Sequence, residues 1–85
     1  MEQVQQESFP AADDEWNAGD LGCGPLVLEL RKKLKAMPER VLHVIALDIA
    51  APIDIPAWCR LTHNELLAHD AATRSFWIRS RADWT

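Results

Sequence analysis

The sequence predicts an α+β fold: a two-layer α/β sandwich in the order β-α-β-α-β-β, with two helices on one face of a four-stranded mixed sheet. Three observations predict it. The 85 residues, 48% of them hydrophobic with four tryptophans, suit one domain with a modest core. Apolar spacing alternates between the helical pattern of Leu26, Leu30 and Leu34 and the two-residue period of Val41 to Leu47. Turn-forming residues punctuate these segments at Gly19-Asp20, Met37-Pro38, Asp48 to Ile53 and Asp70 to Arg74. Two helices packed on one sheet face then enclose a single core.

Residues 1–12 are rich in Gln and Glu and lack a sustained period, which predicts a disordered acidic tail ahead of a domain over 13–81. A short strand around Glu15-Trp16-Asn17-Ala18 opens that domain, anchored by Trp16 and ended by Gly19 and Asp20. The first helix follows from Cys23, its apolar stripe formed by Leu26, Leu30, Leu34 and Met37 with Val27 alongside. Arg31, Lys32, Lys33 and Lys35 lie on the other faces. They suit the negative end of the helix dipole, and Arg31 and Lys32 offer a docking patch for an acidic partner surface. Pro38 breaks the helix, and Val41 to Leu47 reads as a central strand with Leu42, Val44 and Ala46 on one side and Val41, His43, Ile45 and Leu47 on the other. The side that the helices leave open is a candidate homodimer or partner surface.

Asp48 to Ile53 reads as a loop, and the second helix is expected to begin with Asp54 as N-cap and Pro56 in its first turn. Ile55, Trp58, Cys59 and Thr62 share a face, which places Cys59 in the core, and His63-Asn64 ends the helix. Glu65 to His69 and Ser75 to Arg79 form a hairpin with Phe76 and Ile78 inward and Trp77 outward. Residues 82–85 are a short polar tail.

Chemistry concentrates at Asp20-Leu21-Gly22-Cys23-Gly24-Pro25. Cys23 stands at the mouth of the first helix, flanked by Gly22 and Gly24, with Pro25 in the first turn where a missing N–H breaks no helical bond. Unpaired amide donors and the positive end of the helix dipole favour a thiolate, so Cys23 is expected to be nucleophilic at neutral pH. Asp20 opposes this, because a nearby carboxylate disfavours a second negative charge.

The net charge of −4 divides unevenly. Six acidic residues and no Lys or Arg precede Cys23, and the remainder is slightly basic without a stripe of exposed aromatics, which argues against direct nucleic-acid binding. With two cysteines, no long apolar run and no N-terminal targeting pattern, a cytoplasmic protein without a membrane span is expected. Cys23, Cys59, His43, His63 and His69 lack the short spacings of a zinc site, so no metal is expected. Neither a Ser/His/Asp nor a paired-carboxylate constellation stands out as a hydrolase would require.

Leu21-x-Cys23, Arg31-Lys32, Leu42-x-Val44 before Asp48, the run Asp54-Ile55-Pro56-Ala57-Trp58-Cys59, and Phe76-Trp77-Ile78-Arg79 together resemble the TusA or SirA-like sulfur-carrier family over about residues 15–81. The resemblance implies a sulfur carrier: Cys23 takes a persulfide sulfur from a donor enzyme of cysteine desulfurase or rhodanese type and hands it to an acceptor protein. Transfer serves tRNA thiolation, molybdenum-cofactor maturation or sulfur metabolism, and no cofactor is implied. The departures fall in the loop. Cys23-Gly24-Pro25-Leu26 replaces Cys-Pro-x-Pro, Asp20 replaces a usual Gly, and His63-Asn64 replaces Gly-His. These departures leave a second expectation in play, a protein-binding or regulatory module of the same fold in which Cys23 carries no sulfur.

Overall fold

A computed structural model describes residues 9–84. Its elements are β1 (Asp14–Gly19), α1 (Cys23–Lys35), β2 (Val41–Ala46), α2 (Ala51–Thr62), β3 (Glu65–Asp70) and β4 (Ser75–Arg79). The predicted element order is therefore present, and the sheet is mixed as expected, with strand order β1-β2-β4-β3. β1 runs parallel to β2, pairing Trp16 with Val44, while β4 is antiparallel to both β2 and β3. Bulges interrupt β1 between Asn17 and Gly19 and β3 between Leu66 and Ala68. At the first bulge Gly19 has φ +60, a left-handed conformation that glycine adopts without a Cβ penalty, and Leu47 N–H donates to the Gly19 carbonyl at 2.8 Å. That bond ties the loop leading to α1 to the loop leading to α2.

The core lies between the sheet and the helices. Leu26, Leu30 and Leu34 of α1, Leu42, Val44 and Ala46 of β2, Ala51, Ile55 and Cys59 of α2, and Phe76 and Ile78 of β4 are all buried. The apolar stripe expected for α1 and the inward Phe76 and Ile78 expected for β4 are those observed, and of the two sides of β2 it is Leu42, Val44 and Ala46 that are buried.

The start of α2 is a correction. Asp54 is not its N-cap: the helix begins at Ala51, with Ala50 as N-cap, Pro52 in the first turn and Pro56 inside the helix. Packing decides between the two prolines, because Ala51, Ile55 and Cys59 recur at i, i+4 and i+8 and form one buried stripe. Asp48, in the preceding loop, accepts from the Ala50 N–H at 3.1 Å and so organises the entry.

The two ends of the chain also differ from expectation. Residues 1–8 lie outside the described residues, but Phe9, assigned to the acidic tail, stacks on Trp77 with ring centroids 4.4 Å apart. His43 stacks on Trp77 as well, at 4.5 Å. Trp77 is thus on the open face as predicted, yet buried beneath its neighbours. At the other end, Ser80 is buried and its hydroxyl donates to the Leu34 carbonyl at 2.6 Å, while Trp84 Nε1–H donates to Ser80 Oγ at 2.9 Å. Trp84, in the segment expected to be a polar tail, thus ties back to the domain through Ser80, whose hydroxyl joins the Met37 N–H at 3.0 Å on the Leu34 carbonyl near the end of α1.

Candidate functional site

Cys23 is the first residue of α1, with Gly22 as N-cap, and is exposed. The first helical bond runs from Leu26 N–H to the Gly22 carbonyl at 2.8 Å, so by helix geometry the N–H groups of Cys23 and Gly24 have no intrahelical partner, and Pro25 has none to satisfy. Gly22 has an ordinary extended backbone at φ −72, and a Cβ at Gly22 or Gly24 would meet nothing within 4 Å. The sharp turn therefore depends on Gly19 rather than on the two glycines beside the sulfur. Their contribution is open space around it.

The electrostatics reverse one expectation. The Cys23 thiol is shifted upward from its ordinary value rather than toward the thiolate. A hydrogen bond with Asp54 is the largest cause, followed by partial loss of solvent and the charges of Asp54 and Asp48. Asp20 is not among the groups responsible. The carboxylates that matter arrive from the start of α2 and the loop before it, and spacing along the chain gives no sign of this. The one hint was Asp54 itself, two residues before Pro56 in a run already marked as distinctive.

Cys59 differs in exposure and in the cause of its shift. It is 2% exposed in the core, and burial pushes its thiol up to about 12. Among the described residues no group of three or more His, Cys, Asp or Glu is arranged to hold a metal ion. His43 instead lies on the open sheet face, its Nε2 2.8 Å from Ser75 Oγ and its Nδ1 3.5 Å from Glu15.

Arg31 and Lys32 are both exposed, eight and nine residues along α1 from Cys23, which a rise of 1.5 Å per residue converts to roughly 12–14 Å. They share an outward face with Lys35 and with Leu28, which is 64% exposed. Arg31 also lies 6.0 Å from the centroid of the Trp84 ring, and Lys33, on the flank, lies 5.2 Å from that of Trp16. Elsewhere, a groove of about 200 Å³ runs between the β2–α2 loop and the β3–β4 hairpin, lined among others by Asp48, Ile49, Pro52, His69, Arg74 and Phe76. Sequence reasoning did not find this groove, since it arises only when the two connections are brought side by side.

No family model matches the chain. The chain is 36% identical to the sulfur carrier protein TusA of Pseudomonas syringae pv. syringae over 74 residues, 84% of this chain and 88% of the relative. It is 36% identical to that of Pseudomonas entomophila over the same length, covering 92% of the relative. The chain belongs to the TusA family. With the TusA of Allochromatium vinosum the identity is 41% over 56 residues, 65% of this chain and 74% of the relative. TusA membership accords with the resemblance carried by Cys23 and the run Asp54 to Cys59. No helix among the described residues is long and apolar enough to cross a membrane.

Proposed function

We propose that this chain is a sulfur carrier in which Cys23 holds the transferred sulfur as a persulfide. The observation that carries the reading is that a chain of this family has two cysteines, of which Cys23 is exposed at a helix N-terminus and Cys59 is enclosed in the core. Loading follows from thiol chemistry. The Cys23 sulfur attacks the outer sulfur of a donor R–S–SH, a new S–S bond forms as the donor's breaks, and the departing R–S⁻ takes the proton that left Cys23. Delivery repeats the step with an acceptor thiolate attacking the outer sulfur, so no oxidant or cofactor is consumed.

The loop supports both steps. Gly22 and Gly24 leave the terminal sulfur reachable, and the free amides of Cys23 and Gly24 suit an anionic sulfur. Arg31 and Lys32, together with Leu28 and Lys35, form the docking patch for a donor enzyme of cysteine desulfurase or rhodanese type, or for an acceptor protein. Which of tRNA thiolation, molybdenum-cofactor maturation and sulfur metabolism is served depends on those partners.

Intact-mass measurement after incubation with a persulfide donor tests the reading on wild type, Cys23→Ser and Cys59→Ser. The expected result is addition of one sulfur atom to wild type and Cys59→Ser and none to Cys23→Ser. The upward shift of the Cys23 thiol favours a second reading, a protein-binding module of the same fold. Absence of addition from every one of several donors selects that reading.

A further inference from the structure

We propose that the groove between the β2–α2 loop and the β3–β4 hairpin binds a free aliphatic α-amino acid as its zwitterion. Arg74 and His69 hold the carboxylate, Asp48 holds the ammonium, and the side chain packs against Ile49, Pro52 and Phe76. Cys23 does not line this groove, so the site stands apart from the sulfur chemistry proposed above.

The distribution of charge selects the ligand. Asp48 belongs to the loop wall and His69 and Arg74 to the hairpin wall, while Ile49, Pro52 and Phe76 make much of the remaining lining apolar. Among the described residues no ion pair joins Asp48 to Arg74 or His69, so opposite charges face one small space without neutralising each other. A simple anion meets repulsion from Asp48, and a simple cation meets it from Arg74. A molecule that carries both charges satisfies both walls. Each polar group is held in place and keeps bonding capacity. Arg74 Nη1–H donates to the Leu47 carbonyl at 3.2 Å and the Ala46 N–H donates to the Arg74 carbonyl at 3.0 Å, which leaves most of the guanidinium donors unspent. Asp48 Oδ2 accepts from the Ala50 N–H at 3.1 Å, and Oδ1 is left over. The His69 ring is set by its stack on Phe76 at 4.3 Å, and neither of its nitrogens bonds another described residue. Arg74 also has φ +58, a left-handed conformation that glycine adopts more easily, and a bound carboxylate would offset part of that strain. Size narrows the choice further. The volume of about 200 Å³ lies below the roughly 300–1,000 Å³ of sites for drug-sized molecules, so the groove suits one small amino acid and not a nucleotide.

Titration of L-leucine into the full chain, followed by amide-resolved NMR, tests the site. Saturable shifts are expected at the amides of Ile49, Ala71 and Arg74, with a dissociation constant on the order of 1 mM, a range open to so small a ligand. The analogue 4-methylpentanoate lacks the ammonium and 3-methylbutylamine lacks the carboxylate, and each should bind about tenfold more weakly than leucine. Glycine, which keeps both charges and lacks the side chain, should also bind more weakly. Two variants assign the charges. Asp48→Asn keeps an oxygen for the Ala50 N–H and should erase the preference for leucine over 4-methylpentanoate while keeping that over 3-methylbutylamine. Arg74→Gly relaxes the left-handed backbone and should do the reverse. The spectrum of each variant shows directly whether it is folded, and preferences are compared within one variant. No saturable shift up to about 20 mM leucine, shifts confined to residues outside the groove, equal binding of leucine and its singly charged analogues, or preferences that both variants leave unchanged would overturn the proposal. Sulfur loading of Cys23 is read by mass in the separate experiment above, so failure of either proposal leaves the other standing.

Discussion

Cys23 and Cys59 are the same side chain in two environments, and both thiols are shifted upward for different reasons. Around Cys23 the causes come chiefly from carboxylates: hydrogen bonding to Asp54 is the largest, followed by partial loss of solvent and then the charges of Asp54 and Asp48, all acting on a sulfur that remains in reach of solvent. Around Cys59 the cause is enclosure between α2 and the sheet, which would leave a thiolate without solvation. A charge-based shift can be cancelled by an approaching cation. A burial-based shift is relieved only by opening the fold. The difference separates a thiol that a partner can activate from one that serves as a small core residue.

Alkylation gives the largest contrast. At neutral pH a neutral reagent such as iodoacetamide should modify Cys23 at least about 10³-fold faster than Cys59, since access to Cys59 requires an opening that costs several kcal/mol in a stable domain. Site-resolved mass spectrometry checks this. Comparable rates would mean that the α2 face is far less closed than its packing indicates.

Stability gives the next contrast, with the sense reversed. Cys59→Ala should lower unfolding free energy by about 1–2 kcal/mol by leaving a small void among Leu30, Ile55 and their neighbours, whereas Cys23→Ala should stay within about 0.5 kcal/mol. Cys59 also ties stability to alkaline pH. Its folded value near 12 lies above its unfolded value near 9, so its contribution is complete below pH 9 and is lost as pH rises from about 9 toward 12. Denaturant melts of wild type across that window should fall more steeply with pH than those of Cys59→Ala. Parallel slopes would break the assignment of Cys59 to an enclosed site.

The same contrast explains what the sequence could disclose. Elements whose partners lie within a few residues were legible: the α1 stripe, the period of β2 and the inward Phe76 and Ile78 all follow from spacing. Cys23 was legible because its helix start is encoded in its own neighbours. Where two local signals competed, packing chose between them, as when the Ala51, Ile55 and Cys59 stripe overrode Asp54 as a cap. His63 adopts the left-handed conformation at the end of α2, which explains why the family pattern has Gly there. Features formed only by tertiary contact were not legible: Phe9 on Trp77, Ser80 on the Leu34 carbonyl, and above all the two carboxylates beside Cys23. The sequence offered Asp20 as the opposing charge because it is near in the chain, but proximity in space belongs to Asp54 and Asp48.

The smallest expected effect isolates that last point. The pH dependence of Cys23 alkylation reports the thiol's ionisation directly, because the thiolate is the reacting form. Asp54 is the largest cause of the upward shift, so Asp54→Asn should move the midpoint of the rate profile to lower pH and raise the rate at neutral pH, with the alkaline plateau unchanged. Asp48→Asn, acting through charge alone, should move it in the same direction by less, and Asp20→Asn should leave it in place. Asp54 lies in the first turn of α2, where its charge also favours the helix by a few tenths of a kcal/mol, so a small loss of stability accompanies the variant without affecting the profile. If Asp20→Asn moves the midpoint and Asp54→Asn does not, the loop rather than α2 governs the sulfur, and the distinction between a charge-controlled and a burial-controlled cysteine would have to be redrawn around α1 alone.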